Sequence, residues 1–369
     1  MSPSTNKAVR VTHQLKTPTM NCPKEFLEIE AGRWKSRIAS LSAEEAQELA
    51  LRAQTAPLFA HAYSFHLNFR FGGMKPIDLL DIAAQHGMKG VKIHVEDGEE
   101  YSLLASPQDR EAFGARAREL GLIVHIETSE TTREAMVDAI EIARTTGGVS
   151  VRCYPRYEAT VSQIISKTIA DLKLLWDLDP NGKLIFTLEQ HEDLTSDELV
   201  RIIEEVANPH LSLLFDFGNM INAFERPLKA LQKQSAYITE VHIKDCYVIP
   251  DRGGWAQTGT ASGTGHLPFT DMLLDLLLLG EHEPQVTAFS LEEEAEYFAP
   301  AMRFPDEGND PFIAHRTASL TPVNTDEIDQ RLEKERKEAT AQIDFVRGLL
   351  FDIEKRALAS ANQASGDDL

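Results

Sequence analysis

Residues 184–217 read LIFTLEQHEDLTSDELVRIIEEVANPHLSLLFDF, and this stretch decides the fold. It holds two short apolar runs, LIFTLE and LSLLFDF, on either side of an amphipathic helical pattern. Thr195 or Ser196 can cap that helix, and Pro209 follows its end. A strand, a helix and a second strand in this order predict a parallel βαβ unit.

The same alternation of short apolar runs and helical segments repeats along the chain. Eight βα units in one chain indicate closure into a single (β/α)₈ TIM barrel of the α/β class. The eight runs are 58–66, 89–94, 122–127, 149–154, 184–189, 211–217, 238–244 and 285–292.

Segments outside the eight runs predict extensions of the barrel. Residues 24–54 have the pattern of one or two helices, with a capping box at Ser42 and Glu45. Residues 325–358 predict a long C-terminal helix, and the tail from residue 360 is expected to be disordered. We therefore divide the chain into an N-terminal tail and helical extension (1–56), the barrel (57–298), and a C-terminal part (299–369) with a long loop at 299–324.

The composition argues against several classes of protein. A net charge of −21 repels phosphate backbones, so we expect no nucleic-acid partner. Three cysteines without a CxxC pair favour neither a zinc ribbon nor a disulfide framework, and the N-terminal residues lack the apolar core of a signal peptide. The most apolar run, Met272–Leu279, is too short to span a bilayer. We therefore expect a cytoplasmic protein without a membrane partner.

Alternate residues of a barrel strand point inward, so the polar phase of each run predicts the barrel lining. Seven of the eight runs place polar or charged residues in that phase near the carboxyl end, where TIM-barrel active sites lie. Buried charges are costly unless they are paired or bind metal, so a purely structural set on seven strands is the weaker interpretation. The inward residues are Lys92, His94, His125, Glu127, Arg152, Tyr154, Thr187, Glu189, Asp216, His242, Lys244, Ser290 and Glu292.

Four residues of the ligand type end the fifth to eighth runs: Glu189, Asp216, His242 and Glu292. Three carboxylates and one imidazole form a mixed oxygen and nitrogen set, which suits hard divalent ions better than thiolate-seeking metals. We predict one divalent metal ion, Mn²⁺ first, with Mg²⁺, Co²⁺ and Zn²⁺ as alternatives.

Five segments carry a resemblance to a known family: LIFTLEQHED (184–193), LSLLFDFGN (211–219), ITEVHIKD (238–245), GTASGTGHLPF (259–269) and FSLEEE (289–294). In this order they look like the Glu-x-His, Asp-x-x-Asn, His-x-Lys-Asp, glycine-rich and final Glu motifs of the sugar phosphate isomerase/epimerase superfamily. These are the xylose isomerase-like TIM barrels, which include the AP endonuclease family 2 relatives. The resemblance covers about residues 58–295.

The resemblance implies that Glu189, Asp216, His242 and Glu292 are the metal ligands. It also implies that Glu189 and Glu292 double as acid/base groups on either face of a bound ketose, with His242 as a third catalytic residue. A metal that chelates a carbonyl oxygen and a neighbouring hydroxyl polarises the carbonyl and stabilises an enediolate.

Two departures from the family pattern bear on the substrate. Epimerases of the superfamily commonly have histidine at the position of Asn219, so a strict ketose 3-epimerase is doubtful. The second strand, often ended by glutamate in the family, here carries Lys92 and His94. With Arg152 and Lys244, Lys92 would bring three cations to the mouth, so we expect a small carbohydrate that bears a carboxylate or a phosphate.

An alternative is that Lys92 and Arg152 pair with Glu96 or Glu127 in a structural network. Trp255 either covers the substrate or only packs its own loop, and His191 either contacts the substrate or supports Asp216. The expected substrate contacts are Lys92, His94, His125, Arg152, His191, Lys244 and Trp255.

Four functions are considered for this site. The leading hypothesis is a metal-dependent isomerase or epimerase of a ketose, sugar acid or sugar phosphate. A lyase with the same site is the close alternative, acting as a decarboxylase, a dehydratase or a C-glycoside deglycosidase. A DNA-repair endonuclease and a non-catalytic sugar-binding subunit are weaker alternatives. The apolar segment 272–279 and the loop 299–324 offer surface for a homo-oligomer.

Overall fold

A computed structural model describes residues 23–294, 297–314 and 327–366, with side chains to residue 363. The expected N-terminal tail and most of the second half of the loop 299–324 lie outside these ranges. Eight strands form the barrel: β1 (Leu58–His61), β2 (Gly90–His94), β3 (Ile123–Glu127), β4 (Ser150–Cys153), β6 (Ile185–Glu189), β7 (Leu211–Asp216), β8 (Ile238–Ile243) and β11 (Ala288–Leu291). The others are β5 (Ala159–Thr160), β9 (Asp245–Asp251), β10 (Gly254–Thr260), β12 (Phe298–Ala299) and β13 (Phe312–Ile313).

Helices surround the barrel and extend it at both ends of the chain. They are α1 (Lys24–Leu27), α2 (Arg33–Ala39), α3 (Ala43–Thr55), α4 (His66–Phe71), α5 (Pro76–Gln85), α6 (Pro107–Leu120), α7 (Arg133–Thr146), α8 (Val161–Lys173), α9 (Leu175–Leu178), α10 (Ser196–Val206), α11 (Pro227–Gln234), α12 (Phe269–Leu277) and α13 (Ile328–Gly366). Among the helices of the described ranges, none combines the length and apolar content needed to cross a bilayer.

The barrel closes through parallel pairing of β1 with both β2 and β11. All eight predicted runs are barrel strands, so the (β/α)₈ prediction is confirmed. Outward residues such as Val91, Ile126 and Phe215 are buried between the strands and the helix layer. The inward phase at the carboxyl ends carries the polar residues, as the period of two predicts.

The first strand is shorter than predicted. It ends at His61, and the rest of the run forms a 3₁₀ turn at Ala62–Phe65 and then α4. The His61 imidazole accepts the backbone N–H of Tyr63 and so caps that turn. The predicted capping box of Ser42 and Glu45 is confirmed at the start of α3.

The segment after the seventh barrel strand, expected to be a flexible loop, is an antiparallel hairpin. Strands β9 and β10 pair in continuous register, from Asp245 opposite Thr260 to Asp251 opposite Gly254, and β12 adds a third strand. The hairpin is anchored to the barrel because the Gln257 amide donates hydrogen bonds to Asn219 and Asn222.

The C-terminal helix α13 is longer than predicted. It continues to Gly366, so the expected disorder from residue 360 is wrong for residues 360–366. The helix packs along α3, which joins the two extensions of the chain. Near its start the buried Glu335 carboxylate accepts the backbone N–H groups of Leu67 and Asn68, at 2.9 and 3.0 Å. The C-terminal helix therefore holds the first turn of α4 in place.

We expect Glu335→Ala to lower the free energy of unfolding by about 2–4 kcal/mol, because two buried backbone N–H groups lose their acceptor. Urea unfolding followed by circular dichroism measures this change. Glu333→Ala is the matched control in the same helix, since its contact with Lys337 is exposed and worth about 0.5 kcal/mol or less. Equal stability of the two variants would contradict the stabilising role of Glu335.

Candidate metal centre

The four predicted ligands meet inside the carboxyl end of the barrel. Measured from Nδ1 of His242, the carboxylate oxygens of Glu292, Glu189 and Asp216 lie at 3.2, 3.6 and 3.9 Å. All four side chains are buried. The strands β6, β7, β8 and β11 are neighbours in the barrel, so adjacent strand ends bring the four together.

Each of these residues has one buried polar atom that makes no hydrogen bond: Glu189 Oε2, Asp216 Oδ2, His242 Nδ1 and Glu292 Oε2. Buried polar atoms are normally satisfied, so four converging exceptions require an explanation. Three carboxylate oxygens and one imidazole nitrogen are the donor set of a divalent metal ion. The residues present therefore fit a metal: Glu189, Asp216 and His242 lie close enough together to hold one ion, and Glu292 lies against His242.

The tautomer of His242 supports this assignment. Its Nε2 lies 3.0 Å from Glu127 Oε1, whereas its Nδ1 faces the three other carboxylates. A histidine that donates one ring N–H to a carboxylate presents the lone pair of the other nitrogen to a metal. Without a metal, burial lowers the pKa of His242, but the carboxylates of Glu292 and Glu127 outweigh burial and raise that pKa well above its usual range. Metal binding would therefore displace a proton from His242.

Glu127 is the central acceptor of the site. Its carboxylate receives His61 Nε2 at 3.0 Å, His242 Nε2 at 3.0 Å, and two hydrogen bonds from Arg152, at 3.1 and 2.8 Å. The sequence placed Glu127 in the inward phase of the third strand but gave it no functional role. The signal that could have found it was its place at the carboxyl end of β3, where its register partners on the two neighbouring strands are the inward residues His94 and Arg152.

A second group, His61, Glu127 and His242, is also close enough to hold a metal. Its hydrogen bonds argue against that use. His61 Nδ1 accepts a backbone N–H, so its proton is on Nε2 and points to Glu127. Both oxygens of Glu127 are already occupied by donors. This group is better explained as the support of His242.

The departure at Asn219 has a structural reason. The Asn219 side-chain amide donates a hydrogen bond to Glu189 Oε1 at 3.2 Å. Asp216 Oδ1 accepts the backbone N–H groups of Gly218 and Asn219, both at 2.8 Å, which leaves Oδ2 toward the centre. Asn219 therefore orients Glu189, one of the candidate metal ligands.

Burial and neighbouring charges shift the pKa values of Glu189 and Asp216 in opposite directions. Burial raises the pKa of Glu189, but Arg152 and then His242 outweigh it and bring that pKa to about 2. Burial raises the pKa of Asp216 to about 6, although Lys244 opposes the rise. Arg152 Nε lies 2.9 Å from Glu189 Oε2, yet its N–H points to Glu127, so Glu189 keeps a free oxygen.

The structure corrects the expected position of Lys92 and His125. Both contact Glu240, at 2.5 Å from Lys92 Nζ and 3.2 Å from His125 Nδ1. Glu240 precedes His242 by two residues on β8, so this polar layer lies one step deeper in the barrel. Lys92 has no exposed surface and lies between Glu240 and Glu127, with Glu127 at 3.9 Å. Arg152 pairs with Glu127 at 2.8 Å, so the alternative of a structural network is confirmed for Glu127.

The other expected contacts are divided between the mouth and the periphery. His191 stacks on Tyr154 with ring centroids 3.9 Å apart, at the mouth. His94 donates to or accepts from Ser129 and accepts the backbone N–H of Glu96, and burial lowers its pKa to about 4. Trp255 stacks on Phe26 of α1 at 4.7 Å. The expectation that Trp255 covers the substrate is therefore corrected: it packs the hairpin against the N-terminal extension.

Asp245 also has an organising role rather than a ligand role. It accepts the backbone N–H groups of Cys246, Gly263 and Gly265 at 2.9–3.0 Å. A Cβ atom at Gly265 would lie 2.1 Å from Asp245 Oδ1, so only glycine fits there. The glycine-rich motif therefore builds a turn around one carboxylate.

We expect Glu127→Gln to lower the free energy of unfolding by about 3–5 kcal/mol, because Arg152 loses the buried charge that it pairs with. The glutamine NH₂ group would also face donors from two histidines. Glu96→Gln, at the end of the preceding barrel strand, is exposed and should change stability by about 0.5 kcal/mol or less. Thermal and urea unfolding of both variants tests this. An unchanged free energy of unfolding in Glu127→Gln would contradict the central role of Glu127.

Comparisons with known proteins agree with this architecture. The chain is 46% identical over 315 residues to the uncharacterized protein YihM of Escherichia coli (strain K12), covering 85% of this chain and 96% of YihM. It is 22% identical over 166 residues to the 3-oxo-isoapionate decarboxylase of Pectobacterium atrosepticum, covering 44% of this chain and 60% of that enzyme.

A solved structure shows the same fold. It is a xylose isomerase-like TIM barrel protein from Mycobacterium smegmatis in complex with magnesium, 17% identical, with a TM-score of 0.50 over 79% of this chain and 99% of that one. The profile of the xylose isomerase-like TIM barrel family matches residues 80–287. This chain belongs to the xylose isomerase-like TIM barrel family.

Proposed function

We propose that this protein is a divalent-metal-dependent enzyme that isomerises or epimerises a ketose, sugar acid or sugar phosphate. The observation that carries the proposal is the convergence of four unsatisfied donor atoms from Glu189, Asp216, His242 and Glu292 at the carboxyl end of the barrel. Lys244, 3.1 Å from Asp216, and Arg152, 2.9 Å from Glu189, compensate part of the charge of the three carboxylates, and a divalent cation would compensate the rest. Family membership supports the same proposal.

The donor set favours Mn²⁺ first, with Mg²⁺, Co²⁺ and Zn²⁺ as alternatives. The magnesium in the Mycobacterium smegmatis structure is in keeping with an oxygen-rich site. A divalent ion held there would polarise a carbonyl group and stabilise the negative charge that develops beside it.

The protein residues would bind the sugar and move its protons. Glu189 or Glu292 would remove the proton from the carbon next to the carbonyl. A proton would then be returned to the neighbouring carbon in an isomerisation, or to the opposite face of the same carbon in an epimerisation. Arg152 favours the ionised form of Glu189, which a base requires. Glu127 holds His242 in the orientation that completes the site. The surrounding burial excludes water from the proton transfer.

A lyase, most simply a decarboxylase of an oxo sugar acid, is the second candidate. The same site would stabilise the charge left when a carboxylate leaves the carbon next to a carbonyl. The similarity to a 3-oxo-isoapionate decarboxylase favours it. Solvent isotope separates the two candidates: isomerisation keeps the substrate mass but exchanges the carbon-bound hydrogen, whereas decarboxylation releases carbon dioxide.

We place the protein in the cytoplasm as a homo-oligomer. Cys153 and Cys246 are both free and buried, which suits a reducing compartment. Equilibrium sedimentation tests the oligomeric state.

A non-catalytic sugar-binding subunit is disfavoured because binding alone does not require two acid/base-capable glutamates around one cation.

The metal proposal predicts about one divalent ion per chain in the purified protein, lost in Asp216→Ala because a charged ligand is removed. Elemental analysis measures it. Asp197→Ala is the matched control, since that carboxylate pairs with Lys233 at the surface. A wild-type protein that stays metal-free after incubation with Mn²⁺, Mg²⁺, Co²⁺ and Zn²⁺ would reject the proposal.

The proton-transfer proposal predicts deuterium uptake from D₂O by a ketose, sugar acid or sugar phosphate, at a carbon next to the carbonyl. Glu189→Gln should reduce the rate by about a hundredfold or more, because an amide cannot accept the proton. Glu158→Gln, an exposed carboxylate in the loop after β4, should keep the wild-type rate. Mass spectrometry and NMR follow the reaction, and carbon dioxide release without exchange would favour the lyase.

A further inference from the structure

The cations expected to bind a substrate anion are already used inside the protein. Lys92 pairs with Glu240 at 2.5 Å, and Arg152 pairs with Glu127 at 2.8 Å. Lys244 lies 2.6 Å from Glu294 and 3.1 Å from Asp216. Turning any of them toward a substrate would leave a buried carboxylate without its partner, which is unfavourable.

Arg156 differs from these three cations. It lies in the loop after β4 and is half-buried. No ion pair joins it to a carboxylate within 23–294, 297–314 and 327–366, and its contact there is with the ring of Tyr154. An arginine that is partly removed from water without an anionic partner is a candidate anion-binding group.

Arg156 is also placed toward the mouth. Its guanidinium carbon lies 5.4 Å from the centroid of the Tyr154 ring, and that of Arg152 lies 5.1 Å from the same centroid. Arg152 in turn contacts Glu189 of the metal centre at 2.9 Å. Arg156 therefore shares one aromatic ring with Arg152, which contacts a metal ligand.

The charge of Arg156 acts on groups from other strands. It contributes to lowering the pKa of His94, which follows mainly from burial, and it opposes the rise that burial causes in the pKa of Tyr297. His94 ends β2, and Tyr297 follows β11. The charge of Arg156 therefore reaches groups that lie at or after the ends of two other barrel strands.

We propose that Arg156 binds the anionic group, a carboxylate or a phosphate, of the sugar held at the metal centre. This inference rests on the proposed function and names the residue that selects an anionic substrate. The planar guanidinium can donate two parallel hydrogen bonds to either group, and contact with Tyr154 restricts its motion beforehand. It replaces the anion-binding role expected of Lys92, Arg152 and Lys244.

The test compares three probes that share one carbon skeleton: D-fructose, D-fructose 6-phosphate and D-fructuronate. Isothermal titration calorimetry measures their affinity for the full chain loaded with Mn²⁺. Wild-type protein should bind one anionic probe about 10–100-fold more tightly than D-fructose, and the preferred probe distinguishes phosphate from carboxylate. Arg156→Gln should abolish that preference and leave the affinity for D-fructose unchanged.

Two further variants control for charge and shape. Arg156→Lys should keep part of the preference, because lysine supplies a charge without the planar fork. Arg201→Gln removes the same charge from α10, where Arg201 pairs with Glu205 on the exposed surface, and should bind like the wild type.

Equal affinity of the wild type for all three probes, or a preference that survives in Arg156→Gln, would overturn this inference and leave the proposed function standing. No binding of any probe to the Mn²⁺-loaded wild type would count against the proposed function and this inference together.

Discussion

The carboxylate of Glu127 is the interaction on which the site depends. It is buried in the barrel and accepts hydrogen bonds from His61, His242 and Arg152, which come from three other strands. Burying a carboxylate is unfavourable unless charged or polar donors surround it, and these donors are then held in place by the same contacts. The orientation of His242 toward the ligand carboxylates follows from this arrangement, and so does the position of Arg152 beside Glu189.

Acidic and basic side chains also pair on both sides of Glu127 along the barrel axis. One layer deeper, Lys92 lies between Glu240 and Glu127. Toward the mouth, Lys244 pairs with Glu294. The barrel interior therefore alternates acidic and basic groups, which explains how a chain with a net charge of −21 keeps several carboxylates buried close together. The same pairing removes these cations from any direct part in recognising an anionic substrate.

Elements outside the barrel hold the mouth in place. Helix α13 fixes the start of α4 through Glu335, and its Gln342 amide donates to the Ile243 carbonyl just before Lys244. The hairpin of β9 and β10 reaches Asn219 through Gln257, and Asn219 bonds to Glu189. The C-terminal helix and the hairpin are therefore part of the site's support, because a ligand set needs outer contacts that limit its movement.

The sequence by itself determined the eight barrel strands and the inward phase that brings Glu189, Asp216, His242 and Glu292 together. It could do so because strand periodicity and the common edge of parallel strands are local properties. Which charged groups pair was decided only by the tertiary structure, because partners such as Lys92 and Glu240 lie 148 residues apart. The central role of Glu127, the hairpin after β8 and the packing of Trp255 on Phe26 likewise depend on contacts between distant segments, which a strand pattern does not encode.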